Sequence, residues 1–434
     1  MTHCGYIVEV KELRKHNNAD RLQVATFFGN DVCVDLSVKL GDVGVYFPSD
    51  LQLSQEYCDY NNLVRKKDDA GNNIGGYMDP EKRNVKTIKL RGEKSDGLYM
   101  PLTSFGYLGT HEFNVGDTIT VVDGHEICCK YIPRGNTKGP KMRDGNRTRK
   151  KKVPVAPLFK EHADTEQLAY NLEAFHPGDE VEITLKMHGT SQRTGYLPVF
   201  KKYKKSLLDF ILRRDGTPVY DWGYVTGTRR TVLDSFDGGF YGSNTFREQH
   251  SKTFEGKLLK GETVYYEVVG FTNGDNPIMG RGDNTKVNDK DFVKQYGKTT
   301  TFSYGCEPGE SKAYIYRMTM TNEDGDVIEY TPDFMRYRVE QMGLNCVPVF
   351  TKFIIPADEP NPGEYVKNIC EQYYDGPDPV GKTHVREGVV ARVINRPKFC
   401  AYKHKNVSFK ILEGIFKENA SAPDMEEAQE LIKE

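Results

Sequence analysis

The sequence predicts an α+β protein of two domains: an N-terminal β-barrel over residues 1–130 and an antiparallel-sheet domain over residues 155–434, joined by a basic linker at 131–154. Three observations predict this. The chain of 434 residues exceeds the size at which one hydrophobic core usually suffices. Its first third alternates short β-rich runs with Gly- and Asp-bearing turns, whereas the remainder interleaves strand-like and helix-like runs without a strict βαβ rhythm. Between them, Lys130 to Lys152 carries ten Lys and Arg against a single Asp, among Gly, Pro and Asn, which suits both a domain junction and a strap that tracks phosphates.

The N-terminal runs are GYIVEV, LQVATFFG, DVCVDLSV, GDVGVYFP, KTIKLRG, GLYMPL and DTITVV, and a five-stranded OB-type barrel fits their number and length. From Val153 onward, strands are predicted at EVEITLKM, TVYYEVVGF, AYIYRMTM, VPVFTKFII, REGVVARV and SFKIL. Helices are predicted at FMRYRVEQMG and in the acidic tail DMEEAQELIKE, and GRGDNTKVNDKDFVKQYG reads as a surface insertion.

Composition removes several classes of function. No apolar run approaches the length of a membrane span, so no membrane partner is expected. The N-terminus MTHCGYIVEVKEL lacks the basic, apolar and small-residue segments of a secretory signal, which predicts a cytoplasmic protein. The nine cysteines then read as free thiols, and without a Cys-x-x-Cys pair a structural zinc is not expected. No Gly-x-Gly-x-x-Gly opens a helix after a strand and no P-loop motif occurs, which disfavours dinucleotide and P-loop binding.

Lys-x-x-Gly occurs four times, at Lys89, Lys94, Lys186 and Lys294, so the motif alone decides nothing. A lysine that attacks a phosphate must shed its proton, and it needs cations and a metal to stabilise the charge that develops. Lys186 has that apparatus downstream. VYYEVVGF places Glu267 in a strand, REGVVARV places Glu387 before Gly388, and YKHKN puts Lys403 and Lys405 on one face of a strand. KSDG at Lys94 is followed by no such apparatus, and its Asp96-Gly97 pair reads as the bend of a turn.

The order KMHGTS, GTRR, YYEVVG, YIYRM, REGVV and YKHKN resembles motifs I, Ia, III, IIIa, IV and V of the covalent nucleotidyltransferase superfamily of polynucleotide ligases and mRNA capping enzymes, over roughly 155 to 412. Lys-x-His-Gly-Thr and a final Lys-x-Lys-Asn are similar to the RNA ligases of this superfamily. An OB-like domain that precedes the catalytic one resembles the branch typified by the Deinococcus radiodurans RNA ligase. The resemblance implies an N-terminal RNA-binding OB domain and a nucleotidyltransferase domain of the ATP-grasp-like ligase type. It implies Lys186 as the nucleophile that forms lysyl-AMP, with Gly189 letting the backbone approach the nucleotide and His188 in the nucleotide site without a proton-transfer role. Arg229 is implied in ribose or phosphate contact, with Arg193 and Arg230 as competitors. Tyr316, with Tyr314 behind it, is implied in stacking on adenine, although Arg317 stands where the family often has Asp. Glu267 and Glu387 are implied as the metal-organising carboxylates, and Lys403 and Lys405 as the α-phosphate lysines.

The reaction so implied is ATP-dependent RNA ligation with Mg²⁺ or Mn²⁺: transfer of AMP to lysine, then to a 5′-phosphate, then attack by a 3′-OH. The expected partner is RNA, as a nicked duplex or broken strand and possibly with DNA in the duplex, and the expected oligomeric state is monomeric. A DNA ligase or capping guanylyltransferase, and a catalytically inert OB-containing RNA-binding protein, stay open as alternatives.

Overall fold

The computed structural model describes residues 3–71, 74–132, 154–162, 165–212, 214, 216–233, 235–236, 241 and 244–416. Most of the basic linker, and the helix expected in the acidic tail, lie outside the described residues. The chain divides into two compact units: Met1–Gly135 with Gly282–Thr299 and Asn406–Ala420, and Asn136–Arg281 with Thr300–Lys405 and Ser421–Glu434.

In the first unit, all seven predicted β-rich runs contain strands. Gly5–Glu9 and Val43–Phe47 form the middle of a four-stranded sheet with Thr118–Ile119 and Leu98–Pro101 at its edges. Leu13–Lys15, Leu22–Phe27 and Asn30–Asp35 make a separate three-stranded sheet. Among the described residues this hydrogen-bonding order does not close into the expected OB barrel. The strands are two to six residues long, and Leu98–Pro101 ends in a proline that cannot donate to a ladder. Ile7, Val45, Phe47, Leu53 and Tyr57 fill the core of this unit. The expected surface insertion belongs here: Asp289 caps the helix Lys290–Tyr296 through the amides of Asp291 and Phe292, and pairs with Lys89 at 2.8 Å.

SFKIL is helical, not extended as predicted, and lies within a helix at Val407–Phe416. The missed signal is Asn406, whose side-chain oxygen accepts the amides of Ser408 at 2.7 Å and Phe409 at 3.2 Å. Lys410 of this helix reaches Asp96 at 2.5 Å.

The second unit holds two antiparallel sheets. One is five-stranded, in the order Glu166–Gln167, Cys400–Lys405, Gly388–Val393, Glu180–Lys186, Val349–Ile354, with only its first pair parallel. Val181, Ile183, Val389 and Ala391 turn to the face that packs on Val366 and Cys370 of the helix Pro362–Tyr373. Strand alternation sends Thr184, Lys186, Val390 and Arg392 to the other face. The other sheet runs Thr217–Gly227, Thr190–Lys204, Glu262–Gly270, Ser311–Thr321, Val327–Glu329. The predicted helix around FMRYRVEQMG is present at Pro332–Met342, with Thr331 accepting the Phe334 amide, Pro332 in its first turn, and Gly343 beyond its end at φ 69°.

Candidate active site

The two sheets of the second unit are joined at Met187–Gly189, the link between the strand ending at Lys186 and the strand beginning at Thr190. Register then places the expected residues. Lys186 pairs with Gly388 and Gly388 with Lys405, so the two lysines stand either side of the Gly388 strand on one row of the sheet. Lys403 lies opposite Val390. On the other sheet Ser191 pairs with Glu267.

Side chains close the arrangement around Glu387, whose side chain is only 3% exposed. Its Oε1 lies 2.7 Å from Lys186 Nζ and 3.3 Å from Lys405 Nζ, and its Oε2 lies 3.8 Å from His188 Nδ1. Two cations thus converge on one buried carboxylate oxygen, in surroundings where charge interactions are far stronger than in water. Lys186 remains 23% exposed and faces a cleft also lined by Arg229, Glu267, Tyr316 and His162.

Tyr316 stands at a β-bulge, between the pairs Arg317–Tyr265 and Ile315–Tyr266, which re-aims its ring towards the cleft. Its hydroxyl meets Ser191 Oγ at 3.1 Å, and burial, reinforced by the Glu267 charge, pushes its phenol well above the usual range. Arg317, where the family pattern often has Asp, faces away into an ion pair with Glu329, donates to His162 Nδ1 at 3.1 Å, and lies over the rings of Tyr265 and Phe399.

Among the competing arginines, Arg193 is 1% exposed and donates to the carbonyls of Thr228, Phe159, Lys160 and Arg230, with its guanidinium over the Phe159 ring. Its guanidinium is committed to holding backbone, whereas Arg229 lines the cleft. Gly189 has a packing reason of its own. A Cβ there would lie 2.4 Å from the Val268 carbonyl oxygen and 2.9 Å from Glu267 Cγ.

All nine expected site residues lie within this unit. Sequence reasoning missed His162, Glu182, Arg336, Arg392 and Phe399, which line the same cleft. Glu182 could have been found, since it shares a face with Lys186 on the same strand; nothing marks His162 in the sequence. Among the described residues no group of three or more His, Cys, Asp or Glu side chains is placed to hold a metal ion. The carboxylates that line the cleft are Glu182 and Glu267, and Glu387 stands beside Lys186.

No protein-family model matches the chain, and no curated protein does. Solved structures of the Naegleria gruberi RNA ligase are similar to it. A mutant form with AMP and Mn is 16% identical over 94% of this chain and 97% of that one, at a TM-score of 0.54. Another mutant, with ATP and Mn, covers 94% and 98% at 16% identity and a TM-score of 0.55. The ligase with PPi covers 93% and 97% at 16% identity and a TM-score of 0.54. At this identity the likeness is one of fold: the chain shares a mixed α/β, antiparallel-sheet fold with RNA ligase structures.

Proposed function

We propose that this protein is an ATP-dependent RNA ligase that joins 3′-OH and 5′-phosphate ends, with Lys186 as its nucleophile. The observation that carries the reading is the convergence of Lys186 and Lys405 on the buried carboxylate of Glu387, with Lys186 itself lining a cleft that also presents Glu267, Arg229 and Tyr316. The fold shared with RNA ligase structures supports the same reading.

Lys186 attacks the α-phosphorus of ATP as the free amine, forming an N–P bond as the bond to pyrophosphate breaks. Glu387 Oε1, 2.7 Å from Nζ, is within reach to take the proton. Lys405 and Lys403 neutralise charge on the α-phosphate oxygens, Arg229 contacts ribose or phosphates, and Tyr316 stacks on adenine. Mg²⁺ or Mn²⁺, held through water by Glu267 and Glu387, would supply further stabilisation of phosphate charge. AMP then passes to a 5′-phosphate, and attack by the 3′-OH expels it.

The substrate we favour is a nick in duplex RNA, as in RNA repair by a cytoplasmic monomer. Residues 1–130 would act as an OB-like RNA-binding domain, 131–154 as a basic strap and 155–434 as the nucleotidyltransferase domain, in the manner of the Deinococcus-type branch. Incubation with α-³²P-ATP and Mg²⁺ or Mn²⁺ tests the reading. Label is expected on wild type and on Lys94→Ala, and not on Lys186→Ala. An unlabelled wild type with either metal would sink the mechanism and favour a binding protein.

A further inference from the structure

Two loops of the second unit, distant in sequence, meet behind the Met187–Gly189 link. One is the arch Phe302–Gly305. Tyr304 at its crest is 1% exposed, and its hydroxyl accepts the backbone N–H of His188 at 2.6 Å. Tyr304 holds φ at 51°, a left-handed conformation that is a genuine outlier for a bulky side chain. Such conformations persist only where the surroundings enforce them.

The enforcing partner is the second loop, Asp378–Glu387. A Cβ on Gly381 would lie 2.3 Å from Gly305 N and 2.5 Å from Tyr304 C, so only glycine lets the arch seat there. The buried Asp378 braces this loop by accepting the amides of Val380, Gly381 and Thr383 at 2.8–3.0 Å. His384, fully buried, lies edge-on to Tyr304 at 4.4 Å and to Phe302 at 4.9 Å, and Phe302 in turn meets the His188 ring at 4.7 Å. Three residues after His384 the same loop delivers Glu387. The arch therefore touches both sides of the Lys186–Glu387 pair: the backbone two residues after Lys186, and the loop that carries the carboxylate.

We infer that Tyr304 is a positioning residue for Lys186, its hydroxyl pinning the His188 amide so that the lysine and Glu387 stay in register for attack on phosphorus. The inference rests on the ligase reading above. Nothing in the FSYGC segment matches the motifs that carry that reading, and Tyr304 enters by geometry alone.

Tyr304→Phe removes the hydroxyl and keeps the ring on His384. The expected result is a rate of Lys186 labelling at saturating α-³²P-ATP lower by about tenfold, the scale of one buried hydrogen bond. The ATP concentration for half-maximal rate should be unchanged, and amide exchange at His188 faster. Gly381→Ala, which lifts the arch from its seat, should lower the same rate. A hydroxyl that served only stability would lower the unfolding temperature of Tyr304→Phe and leave its maximal labelling rate at the wild-type value, and that outcome would overturn the inference. Absence of label on wild type would overturn the ligase reading with it; equal label on both proteins overturns this inference alone.

Discussion

KSDG at Lys94–Gly97 and KMHG at Lys186–Gly189 carry the same spacing in different surroundings. At the first, Lys94 is exposed on a short hairpin opposite Lys89, while the neighbouring Asp96 is fully buried. Asp96 accepts the hydroxyls of Thr87 at 2.6 Å and Ser49 at 2.9 Å and pairs with Lys410. There the carboxylate is the structural centre and the lysine is solvated. At the second, the lysine is half-buried, the residue in Asp96's place is His188, and the carboxylate comes from another strand's approach loop 201 residues away. A lysine gains chemistry from what the sheet brings to it, not from its own motif.

The sharpest way to break this comparison is to delete each lysine. Lys186→Ala should reduce label from α-³²P-ATP to background, as expected of the proposed nucleophile, whereas Lys94→Ala should label as wild type does. Equal loss in both would erase the distinction.

Next in size, Asp96→Ala should destabilise the first unit by about 3–5 kcal/mol, since it leaves Lys410 without its buried partner. Denaturant unfolding measures this. Burial alone would raise the Asp96 pKa, but Lys410 and the two hydroxyls hold its carboxyl below the ordinary 3.8. A carboxyl depressed in the folded state lends stability that is present above its unfolded value and lost as pH falls through the folded one. Wild type should therefore lose more stability than Asp96→Asn on acidification below about pH 4.

At the Lys186 site, Lys405→Met should slow labelling by about a hundredfold at saturating ATP, the scale of one removed charge-stabilising donor, while Lys186 stays as a partner of Glu387. The smallest effect should come from Tyr316→Leu, which should raise the ATP concentration for half-maximal labelling by about tenfold, the scale of one lost base stack. An unchanged ATP requirement would return Tyr316 to the core.

Apolar alternation marked the strand-bearing runs of the first unit and five of the six expected in the second, but it passed over the long strands Thr190–Lys204 and Thr217–Gly227, whereas the helix at Pro332–Met342 announced itself through Thr331, Pro332 and Gly343. SFKIL misled because its apolar positions suit either period, and Asn406, read as the end of a lysine motif, is also a helix cap. Lys186, Glu267, Glu387, Lys403 and Lys405 were legible because each stands in a short, chemically marked run. His162, Tyr304 and the Asp378–His384 loop were not, because they act through contacts between segments far apart in the chain or through a backbone angle, and neither leaves a local pattern.

By itself, then, the sequence determined many of the strands and the residue types they carry, since alternation and turn chemistry act over a few neighbouring residues. Only the tertiary structure decided which lysine faces a buried carboxylate, which arginine is committed to backbone, and why Gly189 and Gly381 have no side chain. Those outcomes depend on register and close approach between distant strands, and a shift of one residue in register would turn each side chain to the opposite face.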